Sequence, residues 1–161
     1  MTFHRRALLV AASAAACVSA AAVFAVSASG SDDVRVAVPV PDARVAAYCT
    51  ALHARLPRTV DGLPRHGLKP DSPLTAGWGD PTIVLRCGVP RPAVDDDVNT
   101  PAAEVDGVTW SWEQGPDGSA RLTTTLRKAY VELTLPAKYA HDATPLAELA
   151  AAVKTTIPAG I

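Results

Sequence analysis

Few residues in this chain combine the type and spacing that chemistry needs. Histidines 53, 66 and 141 show neither HxxH nor HxH spacing, so no zinc site is spelled out along the chain. Ser72, Ser111 and Ser119 have no base beside them in sequence, and no Gly-x-Ser-x-Gly nucleophile turn or glycine-rich phosphate loop occurs. Three constellations remain. In Trp78-Gly79-Asp80-Pro81, Asp80 either sets a turn by bonding the amides after it or serves with Trp78 as the polar and stacking sides of a ligand groove. In Asp95-Asp96-Asp97-Val98-Asn99, oxygen ligands alternate as at the start of a calcium loop, and Asp106 stands twelfth. Yet Thr100 holds the sixth place, where the sharp turn wants Gly, and Pro101 stiffens the backbone beyond it; the run reads as a solvated acidic loop. Trp110 and Trp112 share one strand face, which is core if covered and a stacking platform for a sugar or peptide if open. With Tyr48 and Tyr139 added, the candidate binding residues are Trp78, Asp80, Tyr48 and Tyr139. No catalytic set, metal site or cofactor is expected.

Cysteine chemistry depends on the compartment, and the first residues speak to that. Arg5 and Arg6 open a positive stretch, residues 7–26 carry no charge, and Ser27-Ala28-Ser29-Gly30-Ser31 is small and polar. This is the layout of a secretory signal, with a cut expected after Ala28. A retained membrane anchor is equally open, because twenty helical residues span about 30 Å. A lipoprotein at Cys17 is a third option, although Ala14-Ala15-Ala16 before it lacks the usual Leu. In each case Arg5 and Arg6 hold the N-terminus inside and the remainder goes outside. There Cys49 and Cys87 form an even pair in an oxidising compartment and read as a disulfide.

The chain has 161 residues with 15 Lys+Arg and 16 Asp+Glu. Two of the basic residues lie in the leader, so 13 face 16 acids beyond it and that part is net −3. Such a domain has no field to attract nucleic acid or anionic lipid. Membrane contact is expected only through the N-terminal segment.

The elements that would position these residues are read from periodicity. Residues 29–41 read as a tether, in which Val34, Val36 and Val38 could add a short edge strand before Pro39 and Pro41 end it. Residues 42–56 read as a helix capped by Asp42, with Val45, Cys49, Leu52 and Leu56 on one face. Residues 59–79 are rich in turn residues and leave little room for regular structure. Residues 82–87 form a strand, and a Pro-rich loop runs from Gly88 to Ala103. Next comes a meander, its apolar face carried by Val108, Trp110 and Trp112, by Leu122, Thr124 and Leu126, and by Ala129, Val131, Leu133 and Leu135. A last helix starts at Thr144-Pro145 and buries Leu146, Leu149, Ala150, Val153 and Ile157. The expected architecture is α+β: a two-layer sandwich, an antiparallel sheet of about four strands with two helices packed on one face, in a single domain over 42–161.

The run Ala76-Gly77-Trp78-Gly79-Asp80-Pro81-Thr82-Ile83-Val84-Leu85-Arg86-Cys87-Gly88-Val89-Pro90-Arg91-Pro92 resembles the hallmark of an uncharacterised actinobacterial family, domain of unknown function 3515. Tyr48-Cys49-Thr50-Ala51-Leu52 and Val105-Asp106-Gly107-Val108-Thr109-Trp110 fit it too, so the resemblance spans about residues 40–160. It implies an exported or membrane-anchored protein and supplies no catalytic residues. The expectation is an extracytoplasmic, non-catalytic domain that binds an envelope protein or cell-wall component. The competing readings are a small envelope hydrolase using Asp80 or His66 and a calcium-dependent module.

Overall fold

The computed structural model describes residues 34–160, which belong to one compact unit. The leader expected at 1–28 and the start of the tether lie outside the described residues. In chain order the elements are α1 (Ala43–Arg55), β1 (Thr59–Val60), β2 (Leu63–His66), β3 (Thr75–Trp78), β4 (Ile83–Val89), a 3₁₀ turn (Ala93–Asp96), β5 (Ala102–Val105), β6 (Val108–Gln114), β7 (Ala120–Thr124), β8 (Tyr130–Leu135) and α2 (Thr144–Thr156).

The strands make one antiparallel sheet of eight, ordered β1-β2-β3-β4-β8-β7-β6-β5. The expectation of about four strands is thereby overturned. Two devices escaped the periodicity. Asp61-Gly62 and Asp106-Gly107 are two-residue hairpin loops with positive φ at both positions (50° and 70°, 48° and 78°). They pair Val60 with Leu63 and Val105 with Val108. Asp-Gly fits such a turn because both residues tolerate the left-handed region, whose twist matches the flanking strands. Of the strands these loops join, β1, β2 and β5 have only two to four residues, too few for alternation to show. Residues 59–79, expected to hold little regular structure, contain three strands.

Register sorts the two sheet faces. Leu85 lies opposite Leu133, Cys87 opposite Val131, Leu122 opposite Leu133, and Trp110 opposite Thr124. These positions form the apolar face, which both helices cover. α1 is capped as the sequence suggests, Asp42 Oδ1 accepting from the amides of Arg44 and Val45 at 2.9 Å. α2 has no side-chain cap: Ala143 holds the cap position and Thr144 is the first helical residue, its amide donating to Asp142 Oδ1 at 2.8 Å.

The disulfide Cys49–Cys87 joins α1 to β4 with its Cα atoms 5.5 Å apart, a separation the bond spans without moving backbone. Just after it the register of β4 against β8 shifts between Cys87 and Val89. Gly88 sits in that bulge at φ +87°, and a Cβ there would lie 2.7 Å from Pro41 Cγ. Only glycine accepts both the conformation and the approach of the chain entering α1.

The opposite face is polar. Glu132 receives Arg86 Nε at 2.9 Å and Arg86 Nη2 at 3.2 Å, with Arg121 Nε 3.8 Å away. Arg86 Nη1 also reaches the Ala37 carbonyl at 3.4 Å. Arg35 forms a parallel bridge with Lys69. Residues 34–37 are therefore held against the sheet, not loose. Leu126, expected within the second meander strand, lies past the end of β7 at φ +54° and is 62% exposed.

Candidate functional site

Trp78 ends β3 pointing into the apolar layer and is fully enclosed. Its indole N–H donates to the Pro57 carbonyl at 3.2 Å, and the Arg65 guanidinium lies 5.8 Å from its ring centre. It therefore offers no surface to a ligand. Tyr139 is buried as well, its hydroxyl 3.5 Å from the Asp80 carbonyl. Asp80 lies on the turn into β4. Tyr48 sits half-buried on α1, accepting from Arg44 Nε at 3.4 Å. Of the four candidates, hydrogen bonding links only Asp80 and Tyr139. Trp110 is enclosed on the helix-covered face, its indole N–H without an acceptor, while Trp112 on the same face is half-buried.

His66 is held by carbonyls: its ring nitrogens lie 3.1 Å from the Gly67 and Gly79 oxygens, and Nε2 is 3.2 Å from Thr82 Oγ1. Thr82 Oγ1 in turn donates to the Gly79 carbonyl at 3.2 Å. The contacts brace the turn at Gly79, and no carboxylate orients the ring. His53 receives Arg65 Nη2 at 2.7 Å on Nε2. Burial first, and the Arg65 charge second, lower its pKa below the ordinary histidine value.

A cavity lies on the polar face, where residues 91–102 fold back over β6 and over the stretch between β7 and β8. Its volume is about 320 Å³, and Arg91, Asp95, Thr100, Ser111, Leu126 and Tyr130 are among its walls. Loop geometry is set by Arg91, whose Nη1 donates to Asp96 Oδ1 and whose Nη2 donates to the Asp95 carbonyl at 2.9 Å. The three carboxylates of the acidic run thus diverge. Asp96 pairs with Arg91 on the outside. Asp97 Oδ1 accepts the Asn99 amide at 2.9 Å and Asn99 Nδ2 at 3.0 Å. Asp95 turns inward, and its side chain is only 7% exposed. Its Oδ1 is buried without a hydrogen-bond partner, and its Oδ2 has Arg91 Nε no nearer than 4.0 Å. A calcium loop needs these oxygens to converge. Among the described residues no group of three or more His, Cys, Asp or Glu side chains is placed to hold a metal ion.

Sequence reasoning singled out the acidic run but not the wall opposite it. Ser111 alternates with Trp110 and Trp112, so its wet-face position was readable. That the loop carrying Asp95 would roof it was not.

The family described as "Protein of unknown function (DUF3515)" matches residues 8–161, and the chain belongs to it. No curated protein and no solved structure matches it.

Proposed function

We propose that this member of a family without an assigned activity is a non-catalytic binding domain of the cell envelope. In this reading residues 1–28 carry it out of the cytoplasm, and the cavity beneath residues 91–102 receives a small polar component of the wall or of an envelope protein. The observation that carries the reading is Asp95. A buried acceptor without a partner costs about 1–3 kcal/mol, more when charged, and stability alone gives no reason to keep it. A ligand donating to that oxygen does. The cavity falls at the small end of the range for ligand sites. The net charge of −3 beyond the leader argues against nucleic acid or anionic lipid as partner. Asp80 and His66, either of which a hydrolase would use, share no hydrogen bond, and His66 is committed to the Gly79 turn.

Two measurements test this. Residues 1–41 fused to a phosphatase that is active only outside the cytoplasm should give activity, and an inactive fusion would end the export reading. Amide resonances followed while soluble wall fragments are added should move at Asp95, Thr100, Ser111 and Tyr130. Shifts confined to other parts of the sheet would remove the cavity from consideration.

A further inference from the structure

Resting on that cavity being a binding site, we propose that its ligand presents a primary ammonium group on a short alkyl stem, and that Asp95 receives the ammonium. The charge of the roof comes first. Residues 91–100 hold one cation, Arg91, against three carboxylates. Arg91 is committed to Asp96 and to the Asp95 backbone, and Asp97 is committed to Asn99. Asp95 is left with one long ion pair, to Arg91 Nε at 4.0 Å, and an oxygen that accepts nothing. The local field therefore favours a cation over an anion.

The hydroxyls of the wall then narrow the choice. Ser111 Oγ donates its proton to the Thr123 carbonyl at 3.3 Å, and Thr100 Oγ1 donates its own to the Val94 carbonyl. Both oxygens keep lone pairs and have no proton left to give. Thr125 and Tyr130 line the cavity as well, so hydroxyl-bearing side chains make up much of its polar wall. A primary ammonium brings three N–H donors and the opposite charge, which matches one carboxylate flanked by hydroxyls. A neutral alcohol brings one donor and leaves the charge uncompensated. The carboxylate torsion of Asp is soft and roughly two-fold, so a small rotation turns Oδ1 toward such a donor.

The stem has a place as well. Leu126 lines the cavity, and it is 62% exposed because its left-handed φ of 54° turns it out of the sheet. Val98, beside Asp97 on the roof, is 98% exposed. Among the described residues, two of the three large apolar side chains left to solvent thus belong to the cavity wall or its roof. A free amine, an amino sugar and a lysine side chain share the required chemistry.

The test is a chemical-shift titration of the full chain, disulfide intact, in a neutral detergent. The probes are n-butylammonium, 1-butanol, glucosamine, N-acetylglucosamine, Nα-acetyl-lysine amide and calcium chloride. n-Butylammonium should saturate with shifts at Asp95, Thr100, Ser111, Thr125 and Tyr130, and 1-butanol should bind at least 10-fold more weakly. Asp95→Asn should weaken n-butylammonium at least 10-fold with the remaining spectrum preserved, while Asp117→Asn on the far hairpin should change nothing. Whether glucosamine or the lysine derivative binds tighter identifies the source. If 1-butanol or N-acetylglucosamine binds as tightly as its charged counterpart, or Asp95→Asn keeps full affinity, the ammonium assignment is wrong and the cavity remains a binding site. If calcium alone moves these amides, the ligand is a metal ion and the assignment fails. If no probe moves them at tens of millimolar, the binding reading falls with it.

Discussion

Reducing the Cys49–Cys87 bond should remove about 4 kcal/mol of stability. The bond closes a loop with a sequence separation of 38. In the chain-entropy treatment a loop of that length restricts the unfolded ensemble by roughly 13 cal/mol/K, or about 4 kcal/mol at 25 °C. Both cysteines are buried, and reduction removes the cross-link while leaving the sulfur atoms in the layer. For a domain of this size the loss corresponds to a fall in Tm of about 15 °C. With a urea slope of about 2 kcal/mol/M, the midpoint should drop by about 2 M. Replacing both cysteines with Ala should cost about 1–2 kcal/mol more, because the sulfur volume is lost from a packed layer. A second readout bears on α1 itself. That helix buries only Cys49 and Leu52 fully, so its hold on β4 depends heavily on the bond. Amide exchange in α1 should therefore accelerate on reduction more than exchange in β8. Urea melts of oxidised and reduced protein that agree within about 1 kcal/mol, with unchanged exchange in α1, would refute this account.

Asp95→Asn should leave stability within about 1 kcal/mol of the parent, since the amide keeps the shape of a carboxylate that makes no hydrogen bond through Oδ1; thermal melts that show a larger loss would undercut the idea that the carboxylate is kept for a ligand. Glu132→Ala should destabilise by about 2–3 kcal/mol in urea melts, because Arg86 is left without its two-point carboxylate partner on the polar face. Trp78→Ala should cost about 3–5 kcal/mol by opening a hole in the apolar layer, and a loss under about 1 kcal/mol would show the side chain is not enclosed. His53 has a folded-state pKa lowered mainly by burial, so the unfolded chain binds its proton more readily. Its contribution is complete above the ordinary histidine pKa of about 6.5 and is lost as pH falls through that value toward the lower folded-state pKa. The slope of stability against pH in that window should flatten in His53→Gln.

Local sequence determined the parts whose signals are local. α1 needed Asp42 to cap it and a spacing of four, three and four to turn Cys49 inward, and both are visible in the letters. The pairing with Cys87 came from there being one partner left. β4, β6 and β8 announced themselves by alternation, as did the stripe of α2. The short strands did not, because two to four residues carry no measurable period; their signal was the Asp-Gly loops at 61–62 and 106–107, which demand a hairpin on stereochemical grounds. Trp78 shows the limit for side chains, since Gly on both sides hides which way it points and only pairing with Ile83 turns it into the core. The cavity was decided entirely by tertiary structure. An acidic run and a set of wet-face hydroxyls, separated along the chain, become one site only when Arg91 folds the loop back and turns Asp95 beneath it. No spacing rule encodes that, because the contact arises from where the sheet happens to offer a floor.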